Sequence, residues 1–198
     1  LWLQIESHIF NLVTTLFKPV REIFKDKKMN FNRKDDGTDE TGWGMLESKN
    51  SELVMNLADH DWYAFNECYG SSEEKRLLKF IASTVDKLKQ NHEQVYLLRN
   101  EGHFKIFNFD DERVFEPDFV LFLKNKNGTN ERYQLFIEPK GKQLFEKDEW
   151  KENFLKSIKD RGDLQQINST VEYILYGLPF YNYDEQSEFK EEFDKIIA

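Results

Sequence analysis

The sequence predicts an α/β protein in which a mixed β-sheet is flanked by helices. Three observations carry this. An amphipathic helical stretch follows Gly70, short aromatic and β-branched runs come in close succession after it, and two further helical stretches bracket a last apolar run. The order helix, four strands, helix, strand, helix fits a sheet covered by helices rather than an all-α or all-β fold. The chain's 18 phenylalanines and 15% aromatic share supply core material far beyond what a disordered chain carries.

The elements follow in order. From Leu1 to Lys28, Ile5, Ile9, Leu12, Leu16, Val20 and Ile23 recur at helical spacing. Pro19 ends one helix and opens a second as its first residue. This net-basic arm reads as a helical hairpin packed on the main body, with a partner-binding arm as the alternative. The polar run from Met29 to Gly44 is a linker, so the division expected is an arm and linker at residues 1–44 and a main domain at residues 45–198.

In that domain Ser71-Ser72-Glu73-Glu74 opens a helix with an N-cap and an acidic first turn. Leu77, Leu78, Ile81, Val85 and Leu88 then form one apolar face to about Gln90. Strands are predicted over Gln94–Leu98, His103–Phe109, Asp118–Leu123 and Tyr133–Glu138. A helix follows from about Asp148 to Lys159, then a strand at Val171–Tyr176 and a closing amphipathic helix at Ser187–Ile197.

Composition narrows the function classes. A formal charge of −9 argues against nucleic-acid binding by bulk charge, while leaving room for a local basic groove. No stretch approaches the roughly 18 apolar residues of a membrane span. The single cysteine, Cys68, rules out a disulfide framework and a cysteine-based zinc site, and fits a cytoplasmic protein. His8, His60, His92 and His103 have no short spacing that would pair them on a metal. The opening Leu1 reads as the start of a piece of a longer chain.

Asn127-Gly128, between two apolar runs, is a hairpin signal. A turn centred near Gly128 sets Asp118 opposite Glu138, Val120 opposite Phe136 and Phe122 opposite Gln134. A tight two-residue turn slides the register by one and sets Asp118 opposite Ile137. Only the first puts both carboxylates on one face, with Cβ atoms roughly 5 Å apart. Like charges that close need a proton or a cation between them. Glu138 and Lys140 project to one side of their strand, and Pro139 suits a strand's end while leaving its carbonyl as a hard oxygen ligand. Oxygen ligation of this kind selects Mg²⁺ or Mn²⁺, and such a centre activates water at a phosphate with Lys140 orienting or helping to deprotonate the nucleophile. Glu74 falls on the apolar face of its helix, either as a further member of the site or as an acid on the helix dipole.

The runs Glu116-Pro117-Asp118-Phe119-Val120-Leu121-Phe122 and Phe136-Ile137-Glu138-Pro139-Lys140-Gly141 resemble the PD-(D/E)xK nuclease signature. With the upstream Ser-Ser-Glu-Glu they are most similar to the C-terminal endonuclease domain of type III restriction enzyme Res subunits, over residues 71–176. Pro139 departs from the commoner small or β-branched residue between the Glu and the Lys. The resemblance implies a restriction-endonuclease-like core, with Asp118 and Glu138 binding Mg²⁺ (Mn²⁺ can substitute), Lys140 as the catalytic lysine and Glu74 as the helical acid that supports the site through metal or water.

It also implies a double-stranded DNA substrate, a modification (Mod) methyltransferase subunit as partner and a helicase-like ATPase preceding this segment. The chain has no phosphate-binding G-x-x-x-x-G-K-[ST] loop, so ATP is used only in that upstream region. Lys142, Lys151 and Lys156 are the expected phosphate contacts, or else a solvated basic face. The expected function is Mg²⁺-dependent hydrolysis of DNA phosphodiesters. The competing expectations are a catalytically silent module for DNA or subunit docking, and a repair or recombination nuclease of the same superfamily.

Overall fold

The computed structural model describes residues 51–65, 68, 70–100, 105–108, 113–126, 131–160 and 172–197. The arm and linker expected at residues 1–44 and the Asn127-Gly128 turn lie outside these residues. In chain order come α1 (Ser72–Asn91), β1 (His92–Arg99), β2 (Ile106–Asn108), β3 (Arg113–Phe115), β4 (Phe119–Asn125), β5 (Glu131–Ile137), α2 (Phe145–Asp160), β6 (Glu172–Gly177) and α3 (Ser187–Ile197). Short 3₁₀ turns sit at Ser51–Leu53 and Lys142–Leu144.

The main sheet has the order β1-β4-β5-β6. β1/β4 and β4/β5 are antiparallel, and β5/β6 is parallel. A parallel neighbour needs a crossover, and α2 lies in the connection. The mixed α/β class with flanking helices is therefore as the sequence predicts. One expected strand is corrected. Of the predicted His103–Phe109 strand, the described stretch Ile106–Asn108 pairs with Arg113–Phe115 in a separate two-stranded ribbon and not with the main sheet. Three-residue strands are too short to display a period in the sequence.

Helix α1 starts where its chemistry says it must. Ser71 Oγ accepts the Glu74 N–H and the Glu74 side chain accepts the Ser71 N–H, a reciprocal capping box. Its apolar stripe is fully buried, from Leu77 to Leu88. Helix α3 lays Phe189, Phe193 and Ile197 inward at helical spacing, and Phe80 of α1 meets the first two rings edge-on. β4 is buried from Phe119 through Leu123, both faces included, as the centre of the sheet demands. The outer edge of β1 is covered by the segment before α1: Leu97 N donates to Trp62 O at 2.6 Å and Ala64 N to Leu97 O at 3.0 Å.

Two details fix the site. The β4/β5 register pairs Phe119 with Ile137, Val120 with Phe136 and Phe122 with Gln134, which is the register that brings Asp118 opposite Glu138. Gly177, paired with Phe136 at the end of β6, lets α2 settle directly on the sheet, because an added Cβ would stand 2.1 Å from the Leu155 carbonyl oxygen. Gly177→Ala is accordingly expected to push α2 off the sheet and cost about 1–3 kcal/mol, as overpacking does. Urea unfolding measures it, and an unchanged midpoint would contradict the close packing.

Candidate active site

Asp118 and Glu138 stand one residue beyond the last regular β4/β5 pair, Phe119 with Ile137. Glu138 is 1% exposed, and its Oε2 accepts the Asp118 backbone N–H at 3.1 Å. That bond draws the two chain ends together and leaves the Asp118 carboxyl beside Glu138. Burial first, then the charges of Glu138 and Glu74, push the Asp118 carboxyl up to about 8, with Lys140 and Arg99 opposing only in part. This carboxyl takes a proton or a cation at neutral pH.

The chain continues past β5 against the segment after β6. Tyr181 N donates to Glu138 O at 3.0 Å and Lys140 N donates to Tyr181 O at 2.8 Å. Backbone groups alternate along an extended strand, so the Pro139 carbonyl turns to the opposite edge, the one that Asp118 borders. A proline there forfeits no ladder bond to Tyr181. Asn182, 3% exposed, donates from Nδ2 to Lys140 O at 2.9 Å, and its Oδ1 accepts the N–H groups of Asp184 and Glu185. The backbone carrying Lys140 is thus held on two sides.

The Lys140 ammonium lies 2.9 Å from Glu138 Oε1 and 2.9 Å from Asp148 Oδ2. Lys151 approaches the same two oxygens at 3.4 and 3.9 Å. Burial pulls the Lys140 ammonium down, but Glu138 and Asp148 outweigh it and hold its pKa above the ordinary lysine value. Burial likewise lifts Asp148, and the bond and charge of Lys140 outweigh it and bring that carboxylate below its usual range. Lys140 is therefore a fixed ammonium here, suited to binding and orienting an anion or a water rather than to removing a proton.

Glu74 faces inward as expected, but Arg99 takes its Oε1 at 2.9 Å and the Ser71 N–H takes Oε2. It bears on the site through its charge on Asp118. Lys142 pairs with Glu185, and Lys156 pairs with Glu152 at 3.6 Å and Glu188 at 2.8 Å, all carboxylates other than Asp118 and Glu138. Lys151, expected on a DNA-facing wall, turns inward. His92 is buried with Nδ1 at 3.0 Å from Leu88 O, and Cys68 is buried with its thiol pushed up to about 12 by burial. Neither has the setting of a nucleophile.

The structure thus gathers Asp118, Glu138, Pro139 and Lys140 and keeps Glu74 one ion pair away. Among the described residues no three carboxylate, imidazole or thiol groups come together as a metal cage. Magnesium does not require one, since it retains several waters and is commonly held by one or two carboxylates. The uncompensated Asp118 beside Glu138 fits such an ion. Sequence reasoning missed Asp148, Arg99 and Asn182. An Asp three residues before Lys151 on the helix after Lys140 was a usable signal for Asp148. Arg99 and Asn182 act through tertiary contacts that no local pattern shows.

The HI_1054_C family model, described as a C-terminal domain, matches residues 14–197, and the chain belongs to that family. A Haemophilus influenzae protein named "Uncharacterized protein" is 37% identical over 193 residues, covering 92% of this chain and 38% of that protein. The chain spans less than half the length of this curated relative. No solved structure matches it.

The raised Asp118 carboxyl has a consequence for stability. Between about 4 and about 8 the folded protein keeps a proton that the unfolded chain releases, so this group's contribution falls as pH rises through that window. In metal-free buffer Asp118→Asn is expected to melt higher than the parent at pH 8 and to lose part of the decline. Parallel melting curves from pH 5 to pH 8 for the two proteins would contradict the assignment.

Proposed function

We propose that this HI_1054_C domain is a metal-dependent nuclease of the PD-(D/E)xK kind, with a restriction-endonuclease-like core, that hydrolyses phosphodiester bonds in double-stranded DNA. The observation that carries the reading is the convergence of Asp118, Glu138 and Lys140 at one end of the β4/β5 pair, with the Asp118 carboxyl lacking a sufficient counter-charge. Asp118 and Glu138 would hold Mg²⁺, with the Pro139 carbonyl turned to the same edge. When bound, that ion supplies Lewis acidity toward a phosphate oxygen and a more acidic water.

The chain's own residues do the rest. Glu138 and Asp118 fix where the scissile phosphate can sit. Lys140, held as an ammonium, donates to the attacking water or to a phosphate oxygen and stabilises charge as it develops. The clamps from Tyr181 and Asn182 keep its backbone in place. Lys142 and Lys156 exchange their carboxylate partners, Glu185 and Glu188, for phosphates. In this reading the domain serves a type III restriction enzyme, a Mod methyltransferase subunit reads the site, and ATP is used by a helicase-like region of the same polypeptide.

A second reading has one observation in its favour. Glu138 is already engaged by Lys140, Lys151 and the Asp118 N–H, as befits a silent module that docks DNA or a partner subunit. Plasmid cleavage separates the two. The nuclease reading expects cleavage with Mg²⁺ or Mn²⁺, none with EDTA, and a loss of roughly 10²–10³-fold for Lys140→Ala with the fold intact by circular dichroism. Undiminished cleavage by Lys140→Ala, or cleavage in EDTA, would contradict it.

A further inference from the structure

Glu138 already accepts three donors as it stands. Its Oε1 faces two ammonium groups, Lys140 at 2.9 Å and Lys151 at 3.4 Å, and its Oε2 accepts the Asp118 N–H at 3.1 Å. A carboxylate offers about four acceptor positions, so a cation that approaches through Oε1 must displace at least one of the two ammonium groups there. Both are tied to a mostly buried site, with side chains 11% and 25% exposed, where an ammonium without a counter-ion is costly.

Asp148 answers this constraint. Its Oδ2 lies 2.9 Å from Lys140 and 3.9 Å from Lys151, so both lysines already share a second carboxylate. Asp148 sits in the first turn of α2, and Gly177 seats that helix on the sheet. Its carboxylate can keep both ammonium groups when Glu138 releases them. It is itself 16% exposed and shares both lysines with Glu138.

The geometry points to Asp148 as a positioning residue that receives Lys140 and Lys151 when Glu138 exchanges an ammonium for a divalent cation. It keeps both lysines beside the phosphate to be cut. This rests on the metal-dependent reading above and adds to it the residue that makes the exchange possible. Asp148 acts through the lysines, not as a ligand.

The test is a double-mutant cycle read by calorimetric Mn²⁺ titration of the 198-residue chain. Asp148→Asn is expected to weaken Mn²⁺ binding roughly 10–100-fold, as loss of an outer-shell partner does. Asp148→Glu is expected to restore most of that loss. In a Lys140→Met/Lys151→Met background the same Asp148→Asn change is expected to shift the affinity by less than about twofold, the additivity limit for uncoupled sites.

Equal losses in both backgrounds would show that Asp148 acts as a bare negative charge, and would overturn the proposal while leaving the metal centre standing. No loss in the parent background overturns it too. Absence of Mn²⁺ binding by the parent overturns both this and the metal-dependent reading. If the triple variant fails to melt cooperatively, the cycle is run on Lys151→Met alone. There a smaller Asp148→Asn loss than in the parent supports the proposal, and an equal loss overturns it.

Discussion

The pairing register of β4 and β5 is the constraint on which everything else depends. Side chains alternate along a strand, so a slip of one residue would send Asp118 and Glu138 to opposite faces. The observed register pairs Val120 with Phe136 and Phe122 with Gln134, within a β4 that is buried from Phe119 through Leu123. That register sets two carboxylates together at the end of the pair, against their mutual repulsion. Burial first, and that repulsion second, raise the Asp118 carboxyl. Unpaired like charges seldom persist in a partly buried place unless a proton or a cation relieves them.

Other parts of the molecule attend to the same spot. The capping box at Ser71 sets the start of α1 and, through Glu74, brings Arg99 into the site's surroundings. The segment after β6 extends the sheet by one parallel bridge, Pro139 with Tyr181, and so fixes the backbone between Glu138 and Lys140. Gly177 lets α2 approach closely enough for Asp148 and Lys151 to reach the lysine and glutamate of β5's extension. The result is an alternating arrangement of carboxylates and ammonium groups in which no single pair can be altered alone.

Much of this was legible in the sequence because it depends on local periods. The α1 stripe and cap, the β1, β4, β5 and β6 strands and α3 follow from spacing of two or from helical spacing, while the hairpin signal at Asn127-Gly128 left two registers open, of which the structure takes the one that sets Asp118 opposite Glu138. The start of α2 was legible only to within a few residues, since Phe145 precedes the expected Asp148 and no strong cap marks it. The β2/β3 ribbon was not, because strands of three residues carry no readable alternation. Arg99 and Asn182 were invisible for a different reason, and Asp148 was signalled only by its place three residues before Lys151. Their importance comes from what the folded chain brings against them, and a charged residue on a helix looks the same whether it faces solvent or a buried lysine.

The central claim is that Asp118 and Glu138 form one cation site. Calorimetric titration of Mn²⁺ at pH 7, repeated in two buffers of different ionisation enthalpy, tests it most directly. The expected result is saturable binding accompanied by proton release, because the Asp118 carboxyl, raised to about 8, must shed its proton to bind. Both the binding and the release should vanish in Asp118→Asn and Glu138→Gln. Binding that survives either substitution, or no saturable binding in the parent protein, would contradict the account.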